Sequence, residues 1–158
     1  MSSSRRPDWP TVVAGFGSPH GDDQAGWRVA AMLSQRPGLP ARVIVVHEPT
    51  QMLAALRGCQ RLIVVDACHT GGMAGAVTRL VWPDPRIAVS HRHSTHGVSV
   101  ADVLKLAETL GDLPPLVEIF GIEVADCLPC QDLTPDVCCA VAEVEAQIVE
   151  KLCEAAHA

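Results

Sequence analysis

Three groups of residues in this chain have types and spacing suited to chemistry. They are the adjacent carboxylates Asp22 and Asp23, the run Asp66-Ala-Cys68-His69, and the stretch His91-Arg-His93-Ser-Thr-His96. Two carboxylates and an imidazole brought together from three loops would form a set of hard oxygen and borderline nitrogen ligands, open to a divalent transition ion with coordination positions to spare. Each group also has a plainer explanation. A carboxylate at a helix start caps it or complements its dipole, and a loop histidine is usually just solvated. Asp66 is the hardest to explain in that way. It ends the apolar run Leu62-Ile-Val-Val65 of an expected central strand, where an ionised carboxylate is costly unless paired or liganded. Its bland alternative is a cap hydrogen-bonded to the amides of the next loop.

Other candidates compete. Gly15-Phe-Gly17-Ser-Pro-His-Gly21, with Glu48 at the end of the second expected strand, invites a dinucleotide-binding reading. The glycine spacing is off by one, and Asp22 and Asp23 place negative charge where a pyrophosphate would sit, a repulsion of about 1–4 kcal/mol per close pair. Cys127-Leu-Pro-Cys130 and Cys138-Cys139 suggest structural zinc or redox chemistry, although adjacent helical cysteines face different ways and free thiols explain them equally. Cys68 is a nucleophile candidate; Asp66 beside it opposes thiolate formation, and His69 could oppose Asp66 in turn. Neither Gly-x-Ser-x-Gly nor His-Glu-x-x-His occurs, so the common serine-hydrolase and zincin signatures give no support.

The elements that must hold these groups alternate. Thr11 to Phe16 predicts a buried strand, Asp22 and Asp23 open a helix that Pro37-Gly38 stops, and Arg42 to Val46 is a second strand. Gln51 to Arg57 is a short helix, Leu62 to Val65 a third strand ending at Asp66, and Gly75 to Trp82 a fourth without an intervening helix, a placement that suits an antiparallel strand. A loop is expected from there to residue 96. Ser99 and Asp102 form a capping-box pattern ahead of a helix reaching Gly111, Leu116 to Ile122 is the fifth strand, and Thr134-Pro135-Asp136 begins a helix through about Leu152. This order predicts a single-domain α/β three-layer sandwich, with a twisted, mostly parallel five-stranded sheet between helices over residues 11–158 and a flexible N-terminus over 1–10.

Composition narrows the function. At 158 residues the chain suits one domain, and 48% hydrophobic against 19% charged residues excludes disorder. A net charge of −6 repels a phosphate backbone, and 3% aromatic residues supply few stacking platforms, so nucleic acid is not an expected partner. No apolar run approaches the ~20 residues of a membrane span. The Arg5-Arg6 pair precedes a broken apolar run, and seven cysteines is an odd number, so a frayed cytoplasmic terminus and reduced thiols are expected.

Four segments occur together and in order over about residues 11–152. They are Val12-Val-Ala-Gly-Phe-Gly17 with Gly21-Asp-Asp-Gln-Ala-Gly26; Leu62-Ile-Val-Val-Asp-Ala67; Ser94-Thr-His96 leading to Ala101-Asp-Val-Leu104; and Val117-Glu-Ile-Phe-Gly-Ile-Glu123 with Leu133-Thr-Pro135. In these the chain resembles the hydrogenase maturation proteases, endopeptidases that trim the C-terminus of the nickel-iron hydrogenase large subunit. The resemblance implies that Asp23, Asp66 and His96 are the metal-contacting and catalytic residues of an aspartic-type-like site. It implies as partner a large-subunit precursor, with nickel carried by the substrate as the recognised metal and no resident zinc required. Two departures lie near the implied groove: Ser18-Pro19 replaces the usual Asn, and Glu48-Pro49-Thr50-Gln51 replaces a glycine-rich segment. They leave open a non-catalytic, metal-binding or chaperone-like relative that grips a metallo-subunit without cutting it.

Overall fold

Strands whose side chains are apolar on both sides need helices on both faces of their sheet. The computed structural model, which describes residues 10–89, 98–125 and 132–158, has that arrangement. Its strands are β1 (Thr11–Phe16), β2 (Arg42–Val46), β3 (Arg61–Cys68), β4 (Val77–Val81) and β5 (Leu116–Glu123). Its helices are α1 (Ala25–Ser34), α2 (Gln51–Ala55), α3 (Pro85–Val89), α4 (Val100–Leu110) and α5 (Pro135–Ala156), with a 3-10 helix at Gly21–Gln24 before α1. The sheet order is β2-β1-β3-β5-β4, parallel except for β4 against β5. This is the expected α/β sandwich.

Successive residues of β3 alternate between two cores. Leu62 and Val64 join Val12, Ala14, Val117 and Ile119 beneath α2, α3 and α4. Ile63 and Val65 join Val13, Phe120 and Ile122 beneath α1 and α5. Helix α1 comes very close to the sheet: a Cβ on Gly26 would lie 2.5 Å from the Val65 carbonyl oxygen and still nearer that of Phe16. Local signals act as read where they are self-contained. Ser99 and Asp102 make the reciprocal capping box of α4, and Gly111 ends that helix at φ 76°.

Three differences have physical causes. β3 runs past Asp66 to Cys68 because β5 runs to Glu123 and pairs with it throughout. Asp22 and Asp23 lie in the 3-10 helix, and α1 starts only at Ala25. Within the expected loop, Pro85 opens α3, and the Asp84 carboxylate accepts both the Arg86 N–H and its guanidinium. Among the described residues no helix is long and apolar enough to cross a membrane.

Candidate active site

Strand β1 hands the chain to β2 on one side, while the connections after β3 lead to the other, so the carboxyl ends of β1 and β3 flank the point where the order reverses. In open α/β sheets that crevice is the usual place for a ligand. Asp23, in the turn after β1, and Asp66, near the end of β3, stand at its two sides. The Asp66 carboxyl is driven well above the ordinary carboxylate range, first by burial and then by the charge of Asp23, with a hydrogen bond from the Ala67 N–H opposing both. A carboxyl whose charge is opposed by burial and by a neighbouring acid is one whose ionised form a nearby cation would favour.

The structure separates the roles of the neighbouring acids. Asp22 is fully buried, and its carboxylate accepts the Thr134 N–H at 2.6 Å and the Thr134 hydroxyl at 2.8 Å. Thr134 is the N-cap residue of α5, so Asp22 ties the turn carrying Asp23 to the start of that helix. An ion pair from Arg28 on α1 to Asp132 at 2.7 Å spans the same junction. Asp22→Ala is therefore expected to lower the unfolding free energy by about 1.5–3 kcal/mol, the scale of hydrogen bonds to a buried charge. Asp23→Ala should change it by less than about 0.5 kcal/mol. Urea unfolding of the two variants measures the contrast.

Glu123, which in the sequence stands out only as the last residue of a motif, proves important. At 4% exposure it accepts N–H bonds from Thr70 (2.8 Å), Gly71 (3.0 Å) and Gly72 (3.1 Å), the Thr70 hydroxyl (2.8 Å) and the Cys68 thiol (3.3 Å). Glu123 thus caps the amides of the loop after β3, while Asp66 accepts the N–H of its own neighbour Ala67. The one signal of Glu123 in the sequence is an acid closing a strand otherwise buried, and alternation cannot distinguish a cap from a site there. Burial opposes its charge, but the bonds from Thr70, Cys68 and Gly72 outweigh it and hold the carboxyl below the ordinary value. Such a group stabilises the fold above the unfolded value of about 4.3 and loses that contribution as pH falls through the folded value. Glu123→Gln should therefore cost about 2 kcal/mol at pH 7, and less at pH 3, by chemical unfolding at both values.

Cys68 is not a nucleophile at neutral pH. Burial, its hydrogen bond to Glu123 and the charges of Glu123 and Asp66 push its thiol up to about 12. The glycines of the first loop serve packing, since a Cβ on Gly15 or Gly17 would collide with backbone of α1 or of the turn before it. Glu48 is exposed, and its N–H is bonded by the Gln51 side chain at 3.3 Å. His96, with His91 and His93, and Cys127 and Cys130 lie outside the described residues. Cys138 and Cys139 are exposed free thiols. Among the described residues no three His, Cys, Asp or Glu side chains form a group that could hold a metal ion.

The family model described as hydrogenase maturation protease matches residues 28–151. In structure the chain is similar to the hydrogenase maturating endopeptidase HybD from E. coli, at TM-score 0.76 and 22% identity over 92% of this chain and 93% of that one. It is also similar to a hydrogenase 2 maturation peptidase from a Thaumarchaeota archaeon, at TM-score 0.64 and 27% identity over 90% and 97%. A third similar structure is a [NiFe] hydrogenase maturation protease, HycI, from Thermococcus kodakarensis KOD1, at TM-score 0.70 and 20% identity over 91% and 92%. Comparison with curated proteins gives no match.

Proposed function

This chain belongs to the hydrogenase maturation protease family and is a peptidase, and we propose that it removes the C-terminal tail of a nickel-loaded hydrogenase large-subunit precursor. In this reading Asp23, Asp66 and His96 contact the nickel that the substrate brings. The observation that carries it is the pair of acids at the switch point, with the charge of Asp66 opposed by burial and by Asp23. A divalent ion there would supply charge stabilisation at the cleaved carbonyl or an activated water. Asp22 and Glu123 would keep the carboxylate-bearing segments in place, and water adds across the peptide bond to leave a carboxylate and a free amine. A precursor without its metal would bring no cation to the two acids, so cleavage would follow metal insertion. No feature among the described residues favours a binding-only relative. The free thiols Cys59, Cys68, Cys138, Cys139 and Cys153 support a reducing, cytoplasmic setting.

Calorimetric titration with nickel and with cadmium, on the wild type and on Asp23→Ala, Asp66→Ala and His96→Ala, tests the site, with circular dichroism to confirm folding. One metal site in the wild type, lost in all three folded variants, is expected. Binding that survives all three changes would remove the chemical centre of the proposal. Mass spectrometry of a nickel-loaded precursor after incubation tests the reaction itself, and an unchanged mass would favour a binder.

A further inference from the structure

Asp66 on β3, Gly121 on β5 and Thr78 on β4 stand side by side in one row across the sheet. Gly121 places no side chain between the other two, so the sheet face is open there over two strand spacings, roughly 10 Å. Val64, Ile119 and Leu80 form the adjacent row, and α3 brings Ile87 and Arg86 to the opening. The result is a cavity of about 360 Å³ with Asp66 in its wall. That volume is at the small end of ligand sites, which run from about 300 to 1,000 Å³.

The chemistry of the walls narrows the occupant. Leu80, Ile87 and Ile119 present aliphatic carbon, and the Arg86 guanidinium is engaged by Asp84 at 2.6 Å. An acidic group would be repelled by Asp66. A basic one would neutralise the carboxylate that cleavage needs and would stand beside Arg86.

We infer that this cavity is a specificity pocket that takes an aliphatic side chain of the substrate at a residue flanking the cleaved bond. The inference rests on the reading of Asp66 as part of the cleavage site, which makes the pocket continuous with it. Each methylene removed from the substrate side chain should cost about tenfold in kcat/KM, the usual discrimination of an apolar pocket.

Two measurements test it separately from the protease reading. In the first, isoleucine methyl resonances of the wild type are followed by NMR during titration with N-acetyl-leucinamide, N-acetyl-lysinamide and N-acetyl-glycinamide. Saturable shifts at Ile87 and Ile119 are expected with the leucine probe, and binding at least tenfold weaker with the other two. Thr78→Trp fills the opening from an exposed edge-strand position and should abolish the shifts. Gly121→Ala, whose new Cβ would lie 3.2 Å from the Cys68 sulfur, should weaken them. Equal binding of leucine and lysine probes, or shifts that persist in both variants, would overturn the pocket.

In the second, a nickel-loaded precursor is cleaved with each residue flanking the cut changed in turn to glycine. A loss of at least tenfold at one of the two positions, relieved when the glycine substrate meets Thr78→Trp, is expected. Cleavage indifferent to both positions overturns the pocket alone. Selective leucine binding with no cleavage of any precursor overturns the protease reading and with it the pocket's part in cleavage, leaving only an aliphatic binding site.

Discussion

Asp66→Asn is expected to lower cleavage of a nickel-loaded large-subunit precursor by on the order of 10³-fold, the loss seen when a group acting at the reacting centre is removed. The same change should leave the fold intact and leave its unfolding free energy equal to the wild type's or about 1 kcal/mol higher. The two expectations have one cause. Burial and the charge of Asp23 both oppose ionisation of Asp66, so the folded chain stores unfavourable electrostatics at that position. An amide of nearly the same shape removes the charge while leaving the strand pairing of residue 66 with Gly121 in place. Stability held back at a site in this manner is a common signature of function. Paired measurements of precursor cleavage and thermal unfolding test both halves, and an Asp66→Asn variant that processes precursor at the normal rate would end the assignment.

Gly26→Ala is expected to destabilise the protein by about 3 kcal/mol or more, against the local rule that alanine stabilises a helix by about 1 kcal/mol over glycine. The new Cβ would collide with the carbonyl oxygens of Phe16 and Val65, which belong to the central strands β1 and β3. Neither obstacle is a side chain that can rotate away, so α1 would have to lift from the sheet. In a domain of this size the melting temperature should fall by roughly 6–12 °C. Because the turn bearing Asp23 leads directly into α1, the displacement should also separate Asp23 from Asp66 and reduce cleavage by about 10²-fold even where the variant remains folded. A differential scanning measurement showing an unchanged or raised melting temperature would refute the close packing of α1.

The sequence carried the architecture because its signals are local. The strands announce themselves by short apolar or alternating runs, and the capping box of α4 lies within four residues, so the alternation that specifies a sandwich needs no distant contact. The same alternation, with the rule that ligands gather at carboxyl ends, is enough to single out the Asp22-Asp23 pair and Asp66 as candidates, and the family resemblance then points to Asp23. Alternation itself could not divide labour between Asp22 and Asp23, which have the same type and adjoin. Nor could it distinguish Asp66 from Glu123, since both are acids late in buried strands.

Those choices were made by partners far apart in the chain. Asp22 is assigned to the fold by Thr134, 112 residues away, and Glu123 by Thr70 to Gly72, 51 to 53 residues away. The pocket beside Asp66 exists only because strand register sets Gly121 between it and Thr78. Backbone propensity and hydrophobic period are properties of a few neighbouring residues and can be read from them. Which carboxylate is surrounded by hydrogen-bond donors, and which has its charge opposed by burial and by a neighbouring acid, depends on what the folded sheet and helices bring beside it, and only the tertiary structure decides that.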